Sequence, residues 1–110
     1  MIRIEIGKNS KGDIYKFSIK GHAGYGEYGK DIVCAAVSAI SQTAILGLEN
    51  LRSVKIKKKI REGDLEVVIV EKGCEEDNIR LNAILETMVM GLKDIAEDYP
   101  IHVKVIEEEV

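Results

Sequence analysis

Ile2, Ile4 and Ile6 alternate with Arg3 and Glu5, and Tyr15, Phe17 and Ile19 alternate with Lys16, Ser18 and Lys20. A period of two sends alternate side chains to opposite faces, so each run reads as a strand with one apolar face. Asn9-Ser10-Lys11-Gly12-Asp13 between them is turn chemistry, which makes the pair a hairpin. The period then changes. From about Ile32 to about Asn50 no charge appears before Glu49, and a helix without a charged face is covered on more than one side. A sheet beneath it and a second copy of the chain above it would do that. Its length and its Ser, Thr and Gln content argue against a membrane span, and Gly47 costs helix stability but suits a close contact. Next, Val54, Ile56 and Ile60 stand among Lys55, Lys57, Lys58 and Lys59; the turn Glu62-Gly63-Asp64 leads to Leu65, Val67 and Ile69. A basic strand followed by a more acidic one predicts a second hairpin with cross-strand charge pairs. Leu81, Leu85, Met88, Leu92, Ile95 and Tyr99 recur at helical spacing over about Asp77 to Tyr99 and end at Pro100. Met88 and Met90 are packing residues on this reading. Ile101, Val103 and Val105 then alternate with His102 and Lys104 as a last strand.

The order strand, strand, helix, strand, strand, helix, strand predicts an α+β domain. Its two layers are a mainly antiparallel five-stranded sheet and two helices on one face. The 110 residues are expected to form a single domain, 1–110, with the order of strands in space left open.

Composition narrows the function classes. A formal net charge of −3 gives no general attraction to nucleic acid or an anionic membrane, so neither is an expected partner. The lysine cluster of the third strand reads first as a solvated face, with RNA contact as the lesser reading. Two cysteines outside any Cys-x-x-Cys pair fit reduced thiols in a cytoplasmic protein. Residues 1–8 carry Arg3, Glu5 and Lys8 and are not the apolar core of a secretion signal.

Between the first hairpin and the first helix lies the stretch with chemistry, Gly21 to Ser38. His22 falls on a loop and Cys34 in the first turn of a helix. A thiol is mostly protonated at neutral pH and becomes a strong nucleophile where a helix N-terminus or an imidazole stabilises its thiolate. Asp31 suits the N-cap, which puts the sulfur beside unpaired backbone N–H groups. His22 taken alone reads equally as a loop histidine with a structural hydrogen bond; brought to the thiol, its imidazole could take the proton and return it to a leaving amine. The backbone N–H groups of Cys34 and Ala35 are candidate donors to an oxyanion. Gly21, Gly24, Gly26 and Gly29, with Tyr25 and Tyr28 among them, read as a mobile lid offering two aromatic bodies to a substrate. The glycine spacing matches neither Gly-x-Gly-x-x-Gly nor a P-loop, so a phosphate cradle is set aside.

Gly21-His22-Ala23 followed by Gly29-Lys30-Asp31-Ile32-Val33-Cys34-Ala35-Ala36-Val37-Ser38 resembles the signature of the bacterial ribosomal-processing cysteine protease (Prp) family. The resemblance implies a cysteine endopeptidase that removes a short N-terminal extension from ribosomal large-subunit protein twenty-seven during ribosome maturation. It implies a catalytic dyad of His22 and Cys34, with Asp31 and Ser38 on the motif's aspartate and serine. It also implies a homodimer, a flexible loop over the site from roughly Ala23 to Lys30, and no cofactor or metal.

Asp31 has two readings that overlap, a helix cap or a third member orienting His22. Ser38, one turn beyond Cys34, either bonds within the site or bonds back to the Cys34 carbonyl. Cys74, ahead of a run of acids, reads as a spectator, and His102 as a surface residue. Two other function classes compete with the protease. One is a non-catalytic ribosome- or RNA-associated module built on the lysine strand. The other is a zinc protein using His22, Cys34, Cys74 and His102, whose spacing fits no common zinc pattern.

Overall fold

The computed structural model describes residues 1–109. β1 (Ile2–Lys8) and β2 (Ile14–Lys20) form the first hairpin, and their register sets Ile4 opposite Ile19 and Ile6 opposite Phe17. The alternation read from the sequence therefore puts all four side chains on one face, where they are buried. β3 (Val54–Arg61) and β4 (Asp64–Lys72) form the second hairpin, and β4 joins β2 with Val67 opposite Phe17 and Leu65 opposite Ile19. β5 (Val103–Glu109) lies parallel to β1, with Val103 opposite Ile2. The order is β3-β4-β2-β1-β5. Among the described residues only the β1–β5 pair is parallel, and a parallel neighbour needs a crossover longer than a turn, which the second helical segment supplies.

α1 (Ile32–Glu49) and α2 (Glu75–Asp98) supply the other half of the core. Val33, Val37, Ile45 and Leu48 of α1 and Leu81, Leu85, Met88 and Leu92 of α2 join the apolar sheet face in one cluster. The helices approach closely because each offers the other a glycine. A Cβ at Gly47 would stand 3.2 Å from Ile84 Cδ1, and one at Gly91 would stand 3.3 Å from Ile40 Cδ1. By length and composition α1 could cross a bilayer, but its Val33–Leu48 ridge is committed to the core. Its other side is open, with Leu46 68% exposed.

The outer sheet face carries the expected charge pairs. Lys59 meets Asp64 at 2.8 Å and Glu66 at 4.0 Å, and Lys20 meets Glu66 at 2.9 Å. Lys58 departs from that pattern and reaches Glu49 at the end of α1, 2.8 Å away.

α2 begins earlier than the apolar spacing predicts, at Glu75, with Cys74 as its N-cap residue. The reason is a tertiary knot. Asp77 is buried, and its Oδ2 accepts from Ser53 N at 3.1 Å and Ser53 Oγ at 2.6 Å. Ser53 Oγ in turn accepts from Cys74 N at 2.8 Å. These bonds hold the Asp77 carboxyl below the ordinary carboxylate range, against the opposing effect of burial and with help from Arg80.

Candidate active site

β2 ends at Lys20 and the chain turns at Gly21, whose N–H donates to the Gly63 carbonyl at 2.9 Å in the turn between β3 and β4. His22 follows, exposed, with its imidazole against that turn. Gly63 has a positive φ of 67°, and a Cβ there would stand 2.9 Å from His22 Nε2. A side chain at position 63 would displace the ring, so this glycine is required by both backbone and neighbour.

Ala23 is buried and is the joint of the site. Its N–H donates to Cys34 Sγ at 3.2 Å. Its carbonyl meets His102 Nδ1 at 2.8 Å. Cys34 stands in the first turn of α1, as the motif predicts, and its sulfur is half-buried between the helix start and the residue that follows His22.

Asp31 caps that helix. Its Oδ1 accepts from Val33 N at 2.9 Å and Cys34 N at 3.0 Å; its Oδ2 accepts from Tyr25 N at 2.9 Å and Gly26 N at 3.1 Å. One carboxylate thus ties the helix start to the loop above it. With the residue 8% exposed, burial pushes its carboxyl up, but the bonds from Cys34, Gly26, Tyr25 and Val33 outweigh burial and hold it below the ordinary range. All four hydrogen bonds go to main-chain N–H groups. The expected oxyanion donors are a correction. The Cys34 N–H is bonded to Asp31 Oδ1 and the Ala35 N–H to the Asp31 carbonyl at 3.0 Å, so the cap and first helical turn consume both.

The two tyrosines of the Gly21–Gly29 loop part company. Tyr25, 48% exposed, packs edge-on to Tyr99 and to His102 with 5.3 Å between ring centroids in each case. Tyr28 turns out over the site, edge-on to His22 at 6.2 Å and 76% exposed. The Glu62 carboxylate facing its hydroxyl raises the phenol above its ordinary value, with a smaller contribution from lost hydration. Gly21, Gly24 and Gly29 take positive φ at the bends of this loop.

His22, Tyr28, Cys34 and Ser38 stand between two hollows. One, of about 360 Å³, is closed on its far side by Arg61 to Asp64. The other, of about 410 Å³, runs under Gly24, Gly26 and Gly29. Ser38 is exposed in both, and its carbonyl accepts from Ser41 Oγ at 3.2 Å. A thiol and an imidazole on one cleft, under a glycine-rich loop, is the pairing that acyl transfer through a thioester needs. Among the described residues no three His, Cys, Asp or Glu side chains form a metal-holding group, so the four residues of the zinc reading are not gathered into one.

Sequence reasoning missed His102, which is half-buried against Ala23 and Tyr25 and not simply a surface residue, and it missed Tyr99, Glu62 and Gly63 as neighbours of the site. No local signal marks His102, because its partner Ala23 lies 79 residues away.

Comparison with known proteins agrees over the whole fold. The family profile described as Cysteine protease Prp matches residues 1–104. The chain is 36% identical over 102 residues to the ribosomal processing cysteine protease Prp of Staphylococcus aureus strain Mu50, covering 90% of this chain and 92% of that one. It superposes with a TM-score of 0.87 and 29% identity on the Staphylococcus aureus ribosomal processing protease Prp in complex with a covalently linked product peptide, covering 98% and 100% of the two chains. The same protease in complex with a substrate peptide gives a TM-score of 0.80 at 27% identity, with the same coverage. This chain therefore belongs to the Prp family of cysteine proteases.

Proposed function

We propose that this chain is the endopeptidase that removes the short N-terminal extension of ribosomal large-subunit protein twenty-seven during ribosome maturation, with Cys34 as nucleophile and His22 as its base. The Ala23 N–H bond to Cys34 Sγ carries the assignment, because it docks the residue next to His22 onto the sulfur. Cys34 gives up its proton to His22, and the thiolate attacks the carbonyl carbon of the scissile bond. The Ala23 N–H supplies positive partial charge at the sulfur. As the tetrahedral adduct collapses, the C–N bond breaks, His22 protonates the departing amine and a thioester remains. Water, deprotonated by His22, then hydrolyses the thioester and restores the thiol.

Asp31 supports this chemistry by fixing the helix start and the lid in one frame. Ser38 contributes its place on the wall of both hollows. Gly21, Gly24, Tyr25, Tyr28 and Gly29 form a lid that a peptide must order, which restricts general proteolysis. Tyr28 is the aromatic wall offered to the substrate. The whole chain acts as one protease domain in the cytoplasm, where ribosomes are built. It works as a homodimer, the second copy covering the uncharged outer side of α1, where Leu46 is exposed.

The test is mass spectrometry of the organism's own precursor of that ribosomal protein after incubation with the wild type and with Cys34→Ala. One N-terminal cut, made by the wild type alone, is expected. No cut by the reduced wild type on the natural precursor refutes the assignment.

A further inference from the structure

The proposed chemistry leaves a half-buried imidazole contact unused. His102 sits where β5 begins, far along the chain from the motif, yet its Nδ1 is 2.8 Å from the Ala23 carbonyl. A carbonyl only accepts, so Nδ1 carries the hydrogen and donates it. Ala23 then passes the constraint on, because its own N–H, on the next peptide plane, donates to Cys34 Sγ at 3.2 Å. The same ring supports the lid from below, with Tyr25 edge-on at 5.3 Å and Tyr99 edge-on to Tyr25 at the same distance. His102 thus touches both the residue bonded to the sulfur and Tyr25 of the loop above it.

We propose that His102 is a positioning residue of the protease. By donating to the Ala23 carbonyl it fixes the His22-Ala23 segment against Cys34, and by seating Tyr25 it fixes the root of the lid that closes over them. It takes no part in proton transfer. Its ring is turned to Ala23 and Tyr25 and does not line either hollow at the thiol. The contact needs a donor of fixed reach at position 102, and asparagine supplies one: its side-chain amide nitrogen lies where Nδ1 does relative to the backbone. Leucine fills similar space and donates nothing.

This inference rests on the protease reading, so its experiment carries a readout that does not. Peptide cleavage is measured for the wild type, His102→Asn and His102→Leu. Amide hydrogen exchange is measured residue by residue on the same three proteins. With His102→Leu, kcat falls about 10- to 100-fold, the scale of a misplaced reacting group, while KM changes less than about threefold because no substrate contact is lost. His102→Asn restores kcat to within about threefold of the wild type, the range left to a donor of slightly different reach. Protection of the Ala23 amide falls at least about tenfold in His102→Leu and is retained in His102→Asn, with core amides such as those of Ile4 and Leu85 unchanged, the mark of local and not global opening. An unchanged kcat and Ala23 amide in His102→Leu overturns the proposal. So does an equal loss of protection at all amides, which makes His102 a general stabiliser. If the wild type cuts no peptide, the protease reading fails, and the Ala23 amide alone still decides whether His102 holds that segment to the sulfur.

Discussion

The two helices of this protein start with the same two residue types in opposite order. α1 has Asp31 at its cap and Cys34 in its first turn; α2 has Cys74 at its cap and Asp77 in its first turn. In α1 the carboxylate caps the helix and grips the Tyr25–Gly26 loop, and the thiol receives an N–H from the segment that carries His22. In α2 the cap residue makes no side-chain bond and its thiol lies in solvent, while the carboxylate is buried on Ser53. Residue type and spacing therefore do not make a reactive site. A carboxylate at the cap frees the first turn to present sulfur; a carboxylate in the first turn spends itself on tertiary packing.

The sharpest way to break this contrast is to remove each thiol. Cys34→Ala is expected to lower kcat/KM for precursor cleavage at least about 10⁴-fold, the loss seen when a nucleophile is deleted. Cys74→Ala should leave it within about twofold. Comparable losses from both would erase the distinction between the two helix starts. The carboxylates divide next. Asp31→Ala removes the cap and the lid's tether together, and kcat is expected to fall about 10- to 100-fold through misplacement of the site. Asp77→Ala should leave kcat nearly intact but lower Tm by about 5–10 °C, since it strands Ser53 and the α2 start. Steady-state kinetics and thermal scans on the two variants separate these outcomes.

The sequence shows the first helix start far more clearly than the second. Asp31 is a capping residue type ahead of an uncharged run, so both the boundary at Ile32 and the place of Cys34 follow from local chemistry. The alternations of Ile2 to Ile6 and Tyr15 to Ile19 likewise translate directly into the register of β1 and β2. Cys74 is not a capping side chain, and the partner that fixes the start of α2 is Ser53 in a different loop, so the boundary is placed late. His102 and the parallel pairing of β5 with β1 stay hidden for the same reason, since each depends on a contact across most of the chain. Even the donors expected for an oxyanion fail on a detail of distance, because the Asp31 cap takes the Cys34 N–H first.

Acid should act on both helix starts in one direction. Asp31 and Asp77 each titrate lower in the folded chain than in the unfolded one. Their stabilisation is complete above the ordinary carboxylate value of about 4 and drains as pH falls below it toward the folded values. Wild-type Tm is therefore expected to drop between about pH 5 and pH 3. Asp77→Asn, which has no proton to gain, should start from a lower Tm at neutral pH and lose less across that interval, with its kcat unaffected. An acid limb as steep in Asp77→Asn as in the wild type would place the sensitivity elsewhere.

The smallest effect tests why Cys74 is a poor cap. Its backbone is already extended at φ −66° and ψ 170°, the conformation that a capping residue adopts, and it differs from Asp31 in having no side-chain bond to the first turn. Serine supplies a short oxygen in the sulfur's place, within reach of the free N–H groups of that turn. The Cys74 N–H that donates to Ser53 Oγ is a backbone donor and survives the change. Cys74→Ser is expected to stabilise the protein by about 0.5–1 kcal/mol, a rise in Tm of roughly 2–6 °C. Cleavage should be unchanged, because the proposed nucleophile stands at the other helix start. If Tm does not rise, the unpaired N–H groups of α2 are already satisfied by water, and the difference between the two helix starts lies in what Asp31 does for the lid and not in capping itself.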